Sequence, residues 1–175
     1  RVDALRAGDG MDPANSIGPL ISEAAVEKVD RQVRDAIDKG ATLLTGGARL
    51  IDNGLEKGCF YSATLLTDIS PDMLIYREET FGPVAGVVPF DDEDDVIAMA
   101  NDTRYGLAAY VYTQNLARAL RTFEQPQFGI IGINDINPTS AAAPFGGMKE
   151  SGLGREGARE GIEEYLETKL GGLSI

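Results

Sequence analysis

A glycine-rich segment near the end of the sequence has the spacing of a dinucleotide-binding motif. The stretch SGLGREG contains Gly152, Gly154 and Gly157 as a G-x-G-x-x-G. Such glycines cradle phosphates only where the motif lies between a strand and the helix that follows it. Here the motif follows the loop-like stretch PTSAAAPFGGMKE, and only 18 residues come after Gly157. We therefore predict a turn that leads into a helix, where glycine permits a positive φ or close packing.

The sequence offers few groups for nucleophilic or metal chemistry. It contains no histidine, which removes Ser-His and Cys-His pairs and the usual zinc sites. Its one cysteine, Cys59, stands at the start of a predicted apolar strand, without a histidine or a lysine cluster beside it. A reactive thiolate needs an electropositive setting. We therefore expect Cys59 to be structural, and we predict no metal site.

The charge of the chain excludes some classes of partner. The 28 acidic and 16 basic residues give a net charge of -12, which argues against nucleic-acid and anionic-membrane partners. No apolar run reaches the roughly 18 residues of a membrane span. A single cysteine permits no internal disulfide and fits a cytoplasmic location. The acidic run DDEDD at 91–95 is predicted to start a helix, where carboxylates cap the end, and not to form a binding patch.

Hydrophobic periodicity predicts strands that alternate with helices. Over 22–40, Val26, Val29, Val33 and Ile37 recur at helical spacing and define one apolar face. The alternation predicts an α/β fold, a mostly parallel twisted sheet with helices on both faces. The further helices are predicted from 91, over 115–125 and over 157–169, and the strands at 41–47, 59–69, 83–90, 106–113, 128–134 and 170–175.

Four stretches together resemble the NAD(P)-dependent aldehyde dehydrogenases. They are GDGMDPANSIGPLIS at 8–22, EETFGPV at 78–84, NDTRYGLAAYVYT at 101–113 and PFGGMKESGLGREG at 144–157. The stretches occur in the order and spacing of that family, and the resemblance covers essentially the whole chain. One departure is Ala63, where the family usually has proline, which puts a local turn in doubt but not the chemistry.

The resemblance implies a chemistry and a place in a longer protein. In the family a cysteine thiolate attacks the aldehyde, hydride passes to NAD or NADP, and water releases the acid. Residues 1–168 would be the C-terminal part of the catalytic domain, and 169–175 the terminal oligomerisation strand of a dimer or tetramer. By resemblance, the cofactor domain, the nucleophilic cysteine and the water-activating glutamate would lie upstream. An N-terminal Arg1 in place of methionine suggests a processed or excised piece. No catalytic residue is expected in this segment, which alone should be inactive.

Two residues match the positions that contact the cofactor in the family. By resemblance, the Glu79 carboxylate accepts hydrogen bonds from the nicotinamide ribose hydroxyls, and Phe81 packs near the nicotinamide ring. A diol offers two donors that one carboxylate can accept. The alternative is a surface turn before a strand, with Phe81 as its core anchor. The choice between NAD and NADP would depend on a residue of the upstream domain.

Three residues match or lie near positions that contact the substrate in the family. Phe145 matches an aromatic that lines the substrate tunnel, and the loop 134–143 before it lies where the family varies its preference. Relatives that oxidise succinate semialdehyde have a hydroxyl residue here, so Thr139 and Ser140 are candidates to bind the distal carboxylate. The alternatives are packing for Phe145 and loop stabilisation for the hydroxyls. By resemblance, the whole protein is expected to oxidise succinate semialdehyde. The alternatives for the whole protein are lactaldehyde or glycolaldehyde oxidation, or a non-catalytic assembly module.

Overall fold

The computed structural model describes all residues 1–175 and divides the chain into two compact units, Arg1–Pro89 and Phe90–Ile175. The first unit holds a short 3-10 helix, two α-helices and a three-stranded sheet in the order β1-β2-β3. Strands β1 and β2 pair antiparallel, and β2 and β3 pair parallel. The elements are the 3-10 helix Val2–Ala4, α1 Glu23–Asp38, β1 Thr42–Thr45, β2 Thr64–Thr67, α2 Leu74–Arg77 and β3 Val84–Gly86.

The second unit contains three helices and two small sheets. Strands β5 and β6 pair parallel on either side of α4 in the chain, and β4 pairs antiparallel with β7. The elements are α3 Glu93–Asn101, β4 Tyr105–Gly106, β5 Ala108–Val111, α4 Leu116–Glu124, β6 Ile130–Ile133, β7 Met148–Lys149 and α5 Glu160–Glu163. The α/β class is confirmed, but the strand pairing is not mostly parallel, since two of the four pairings are parallel and two are antiparallel.

Helix α1 forms where the apolar periodicity predicts it. The Ser22 side chain caps its start by accepting a hydrogen bond from the Ala25 N–H. The valines of the predicted face are buried in the core of the first unit, but Ile37 is 39% exposed. The buried stripe is rotated from Ile37 toward Ala36 and Gln32, both fully buried. The face of α1 that the first unit covers therefore includes one polar side chain.

Several predicted elements are shorter in the structure. The strand predicted at 59–69 is regular only in β2, and Tyr61 makes an isolated bridge to Arg49. The helix predicted over 157–169 begins only at Glu160, because Gly157 and Ala158 have φ of 70° and 49°, which a right-handed helix does not allow. Residues 169–175 have no regular secondary structure and are exposed. Their pairing with another chain stays a prediction.

The acidic run is a helix start, as predicted. The Asp92 carboxylate accepts hydrogen bonds from the backbone N–H groups of Asp94 and Asp95 and caps α3. Glu93, in the first turn, receives charged hydrogen bonds from Arg118 at 2.9 Å and from Arg121 at 3.0 Å. The hydrogen bond from Arg118, followed by that from Arg121, holds the pKa of Glu93 below its ordinary value. This carboxylate therefore joins α3 to α4.

The lowered pKa of Glu93 predicts a loss of stability in acid. A carboxylate whose pKa is lower in the folded than in the unfolded state stabilises the fold above its unfolded pKa, and this contribution disappears as pH falls through the folded pKa. We expect Glu93→Gln to have a lower urea midpoint than the wild type at pH 7. The difference between the two urea midpoints should become smaller below about pH 4. Asp94→Asn, without an arginine partner, is the control. The same difference in urea midpoint between variant and wild type at both pH values would contradict the prediction.

Candidate functional site

The turn after α2 carries both predicted cofactor residues. Glu79 is exposed, and its carboxylate has no partner in the protein. Phe81 is 79% exposed and has a φ of 46°. The alternative of a core anchor for Phe81 is therefore wrong, since an apolar anchor would be buried. A large non-glycine residue at positive φ is costly and persists only where its surroundings hold it.

The neighbouring carboxylate, Glu78, is in a different environment. Its Oε2 lies 3.2 Å from Arg31 Nη2 and 3.3 Å from Gln32 Nε2, both donors from α1. Of two adjacent carboxylates, Glu78 is therefore neutralised by the protein, whereas Glu79 keeps its acceptor capacity for a ligand. An unpaired, exposed carboxylate can accept hydrogen bonds from a diol, and an exposed aromatic ring can pack against a flat ring of a ligand.

The loop after β6 carries the two predicted substrate hydroxyls, and they differ in their environment. Thr139 Oγ1 donates to Asn137 Oδ1 at 2.9 Å, so its hydrogen is already used. The Ser140 side chain is exposed and makes no hydrogen bond, although its carbonyl accepts from Ala143 N–H at 3.0 Å. Ser140 therefore keeps a free donor, and Thr139 does not.

Both ends of this loop are fixed to the second unit. At its start, Asn134 accepts from Thr113 N–H at 2.9 Å and donates to the Thr113 carbonyl at 2.8 Å. At its end, the Ala141 carbonyl accepts from Ala158 N–H at 3.1 Å. The loop hydroxyls therefore lie on a short segment between two anchored positions.

Phe145 is held by the glycine-rich segment. Its N–H and carbonyl exchange two hydrogen bonds with Glu156, each 2.7 Å long. Phe145 is 39% exposed and borders a cavity of about 690 Å³. Most of the lining of this cavity comes from residues 145–165, including Tyr165. Phe145 is thus a wall residue and not a core residue, which suits contact with an apolar part of a ligand.

The glycine-rich segment is a turn that enters α5, as predicted. Gly152, Gly154 and Gly157 have φ of 132°, 75° and 70°, a region that favours glycine. Arg155 Nη1 closes the turn by donating to the carbonyls of Gly147 at 2.8 Å and Gly154 at 2.7 Å. Only the two-residue β7 precedes the segment and four helical residues follow, so it lacks the βαβ setting of a dinucleotide motif. That no phosphate binds there stays a prediction.

Cys59 is half-buried against the core of the first unit. Its Sγ lies 4.0 Å from Glu23 Oε2, and Glu23 is paired with Arg49. A thiol beside a carboxylate lacks the electropositive setting of a nucleophilic cysteine. The structure therefore gives Cys59 the surroundings of a packing residue.

In a full-length protein that carries this segment, Cys59→Ala is expected to leave catalytic turnover unchanged and to cost about 1 kcal/mol of stability or less, since it removes one half-buried sulfur atom. The check compares steady-state turnover and the urea midpoint of the variant and wild type. Loss of turnover with the fold intact would make Cys59 the nucleophile.

The candidate residues form two groups, one in each unit. Glu79 and Phe81 share the turn before β3, and Thr139, Ser140 and Phe145 share the loop before β7. Two supporting side chains were not predicted. Gln32 could have been found as a polar residue inside an apolar helical stripe, whereas nothing in the sequence marks the contacts of Arg155.

No three His, Cys, Asp or Glu side chains are grouped to hold a metal ion. None of the helices has the length and apolarity to cross a membrane.

Comparisons with known proteins agree with each other. Residues 1–170 match the model of the aldehyde dehydrogenase family. A probable NADP⁺-dependent succinate-semialdehyde dehydrogenase of Sinorhizobium fredii is 48% identical over 176 residues, 99% of this chain and 35% of the relative. A non-phosphorylating aspartate-semialdehyde dehydrogenase of Halomonas elongata is 47% identical over 169 residues, 97% of this chain and 34% of the relative.

A solved structure has a similar fold. The betaine aldehyde dehydrogenase of Staphylococcus aureus in complex with NAD⁺ has a TM-score of 0.90 and 39% identity, over 96% of this chain and 33% of that one. The chain thus spans about a third of the length of the relatives that it matches.

Proposed function

The chain belongs to the aldehyde dehydrogenase family, and from this we propose that it is the C-terminal part of an enzyme that oxidises succinate semialdehyde to the acid with NAD or NADP. The observation that supports the assignment of this substrate is the free hydroxyl of Ser140 in the loop before Phe145. Both semialdehyde relatives, at 48% and 47% identity, act on aldehydes with a distal carboxylate, whereas the betaine aldehyde enzyme, at 39%, acts on one with a cationic end.

The cofactor side of the proposal rests on the turn before β3. Glu79 would accept hydrogen bonds from the ribose hydroxyls, and Phe81 would support the ring that they position. When bound, the nicotinamide supplies the hydride acceptor. The unpaired state of Glu79 supports this assignment, because a carboxylate already neutralised by the protein would gain less from two hydroxyl donors. The relatives include an NADP⁺-dependent enzyme and a complex with NAD⁺.

The substrate side rests on the loop and the cavity wall. A carboxylate that enters an apolar tunnel must meet donors, because burying it unpaired would be costly. Ser140 would donate one hydrogen bond, and Phe145 would contact the methylene groups between the two ends of the substrate. The loop contains no arginine, so a cationic partner would come from the upstream part of the protein. The nucleophilic cysteine, which would form a thiohemiacetal and then a thioester, would come from there too.

The proposed enzyme is a cytoplasmic homo-oligomer, a dimer or tetramer. Its terminal segment supports the association, because large apolar side chains there are exposed and would be covered by a partner copy. These side chains are Leu166, Leu170, Leu173 and Ile175.

The test is a comparison of aldehydes with the full-length enzyme. We expect kcat/KM for succinate semialdehyde to exceed that for propanal by about ten-fold or more, because a hydrogen bond to a charged group contributes about 1.5–3 kcal/mol. Lactaldehyde and betaine aldehyde are the matched uncharged and cationic competitors, each assayed with NAD⁺ and with NADP⁺. A higher kcat/KM for lactaldehyde than for succinate semialdehyde would reject the semialdehyde assignment. If the protein oxidises none of these aldehydes, the proposed dehydrogenase activity itself is rejected.

A further inference from the structure

Helix α1 contacts the segment 72–82, which contains the candidate cofactor turn, at four successive levels. The contacting helix residues are three or four positions apart, so they lie along one stripe of the helix. The contacts run in antiparallel order. They are Lys39 Nζ to the Asp72 carbonyl at 2.6 Å, Leu74 N–H to Asp35 Oδ2 at 2.7 Å, Gln32 Nε2 to Glu78 and Glu79, and Val29 against Gly82.

The two levels nearest the turn are Gln32 and Val29. Gly82 lies so close to α1 that a Cβ on it would be 2.7 Å from Val29 Cγ2, so only glycine fits without a shift. Gln32 is completely buried, and its Nε2 makes long hydrogen bonds to Glu78 Oε2 at 3.3 Å and to the Glu79 carbonyl at 3.5 Å. Because both partners can only accept, the orientation of the amide is fixed.

Gln32 is a costly residue for packing alone. Its Oε1 is buried without a hydrogen-bond partner, and an unsatisfied buried acceptor is destabilising. An apolar side chain of the same length would fill the same space without this cost. The presence of an amide at this position is therefore better explained by the groups to which it donates hydrogen bonds than by a gain in folding stability.

We propose that Gln32 is a positioning residue, which holds the Glu78–Glu79 backbone so that the Glu79 carboxylate and the Phe81 ring face the cofactor. Its donor fixes the backbone on one side of Phe81, and the packing of Val29 against Gly82 fixes the other side. These two anchors hold the strained φ of 46° at Phe81. The inference rests on the proposed cofactor role of Glu79.

The test is Gln32→Met in the full-length enzyme, which keeps the volume but removes the donor and the orphan acceptor. We expect the dissociation constant for NADPH, from the quenching of protein or nucleotide fluorescence, to rise about ten-fold, because small misplacements of a binding group have effects of this order. We expect the thermal midpoint to stay unchanged or to rise. Arg34→Gln, on the exposed face of α1 and paired with Asp30, is the control and should change neither.

A double-mutant cycle with Glu79→Gln separates this inference from the proposed function. If Gln32 acts through Glu79, Gln32→Met should add less than about two-fold to the dissociation constant in the Glu79→Gln background. An equal effect in both backgrounds would overturn the inference, as would no effect of Gln32→Met where Glu79→Gln has one. No effect of Glu79→Gln alone would reject the cofactor role itself. If the methionine variant does not fold, Gln32→Leu provides the same comparison.

Discussion

Glu79→Gln in the full-length enzyme is expected to raise the dissociation constant for NAD(P)⁺ by at least about ten-fold and to slow hydride transfer, with the fold unchanged. A carboxylate accepts both hydroxyls of a ribose diol, and a hydrogen bond to a charged group contributes about 1.5–3 kcal/mol, which is ten-fold or more in binding. The amide of glutamine keeps only one acceptor oxygen and carries no charge. Because Glu79 is exposed and its carboxylate makes no hydrogen bond or ion pair within the protein, its replacement should leave stability unaffected.

The adjacent glutamate provides the control for this prediction. Glu78→Gln changes the same kind of group one residue away, but Glu78 is already bound by Arg31 and Gln32. We expect its effect on the dissociation constant to be smaller than that of Glu79→Gln, because the glutamine oxygen can still accept the hydrogen bond from Gln32 and the lost ion pair with Arg31 is exposed. Fluorescence titration with NADPH and single-turnover kinetics measure both variants. A larger effect at Glu78 than at Glu79 would reverse the assignment.

Ser140→Ala is expected to raise the KM for succinate semialdehyde by about ten-fold or more and to leave the KM for propanal unchanged. The lost hydrogen bond goes to the charged end of one substrate, and the other substrate has no such end. Thr139→Ala should have a smaller effect, because the hydroxyl of Thr139 already donates to Asn137. The measurement is a steady-state comparison of both variants on both aldehydes.

The two hydroxyl variants decide between the substrate hypotheses. Discrimination by Ser140 alone supports the assignment from the structure, and discrimination by Thr139 alone would show that the loop rearranges when substrate binds. If neither variant distinguishes the charged aldehyde from propanal, the semialdehyde hypothesis loses its local support and the lactaldehyde hypothesis becomes the better one.

The sequence predicts elements well where a local pattern agrees with packing. Helix α1 follows from its cap and its apolar spacing, and the start of α3 follows from its acidic run. The end of the chain is different, because residues 164–175 are exposed and have no packed face in this chain. A helix in water depends on such packing more than on its composition, so the long helix predicted after Gly157 has only four residues.

The candidate site is predictable in its residues but not in their contacts. The motif resemblance indicates Glu79 and Phe81, yet nothing local shows that Glu78 is neutralised while Glu79 is free. That difference comes from α1, more than 40 residues earlier in the chain, as does the orphaned amide of Gln32. Likewise, two adjacent hydroxyls in one loop are equivalent in the sequence, and only the side chain of Asn137 distinguishes them.

The anchoring of the loop after β6 has a consequence for engineering. Residues 135–140 lie between the reciprocal pair of Asn134 with Thr113 and the hydrogen bond of Ala141 with Ala158. Since both anchors use groups outside this hexapeptide, we expect changes of its side chains to leave β6 and Phe145 in place, provided that the Asp135 backbone, which lies against Gly132 of β6, is kept. The hexapeptide is therefore a suitable segment to replace with loop sequences of relatives or with randomised sequences. Exchanging it should retune which aldehyde is accepted while the cofactor preference of the parent enzyme is kept.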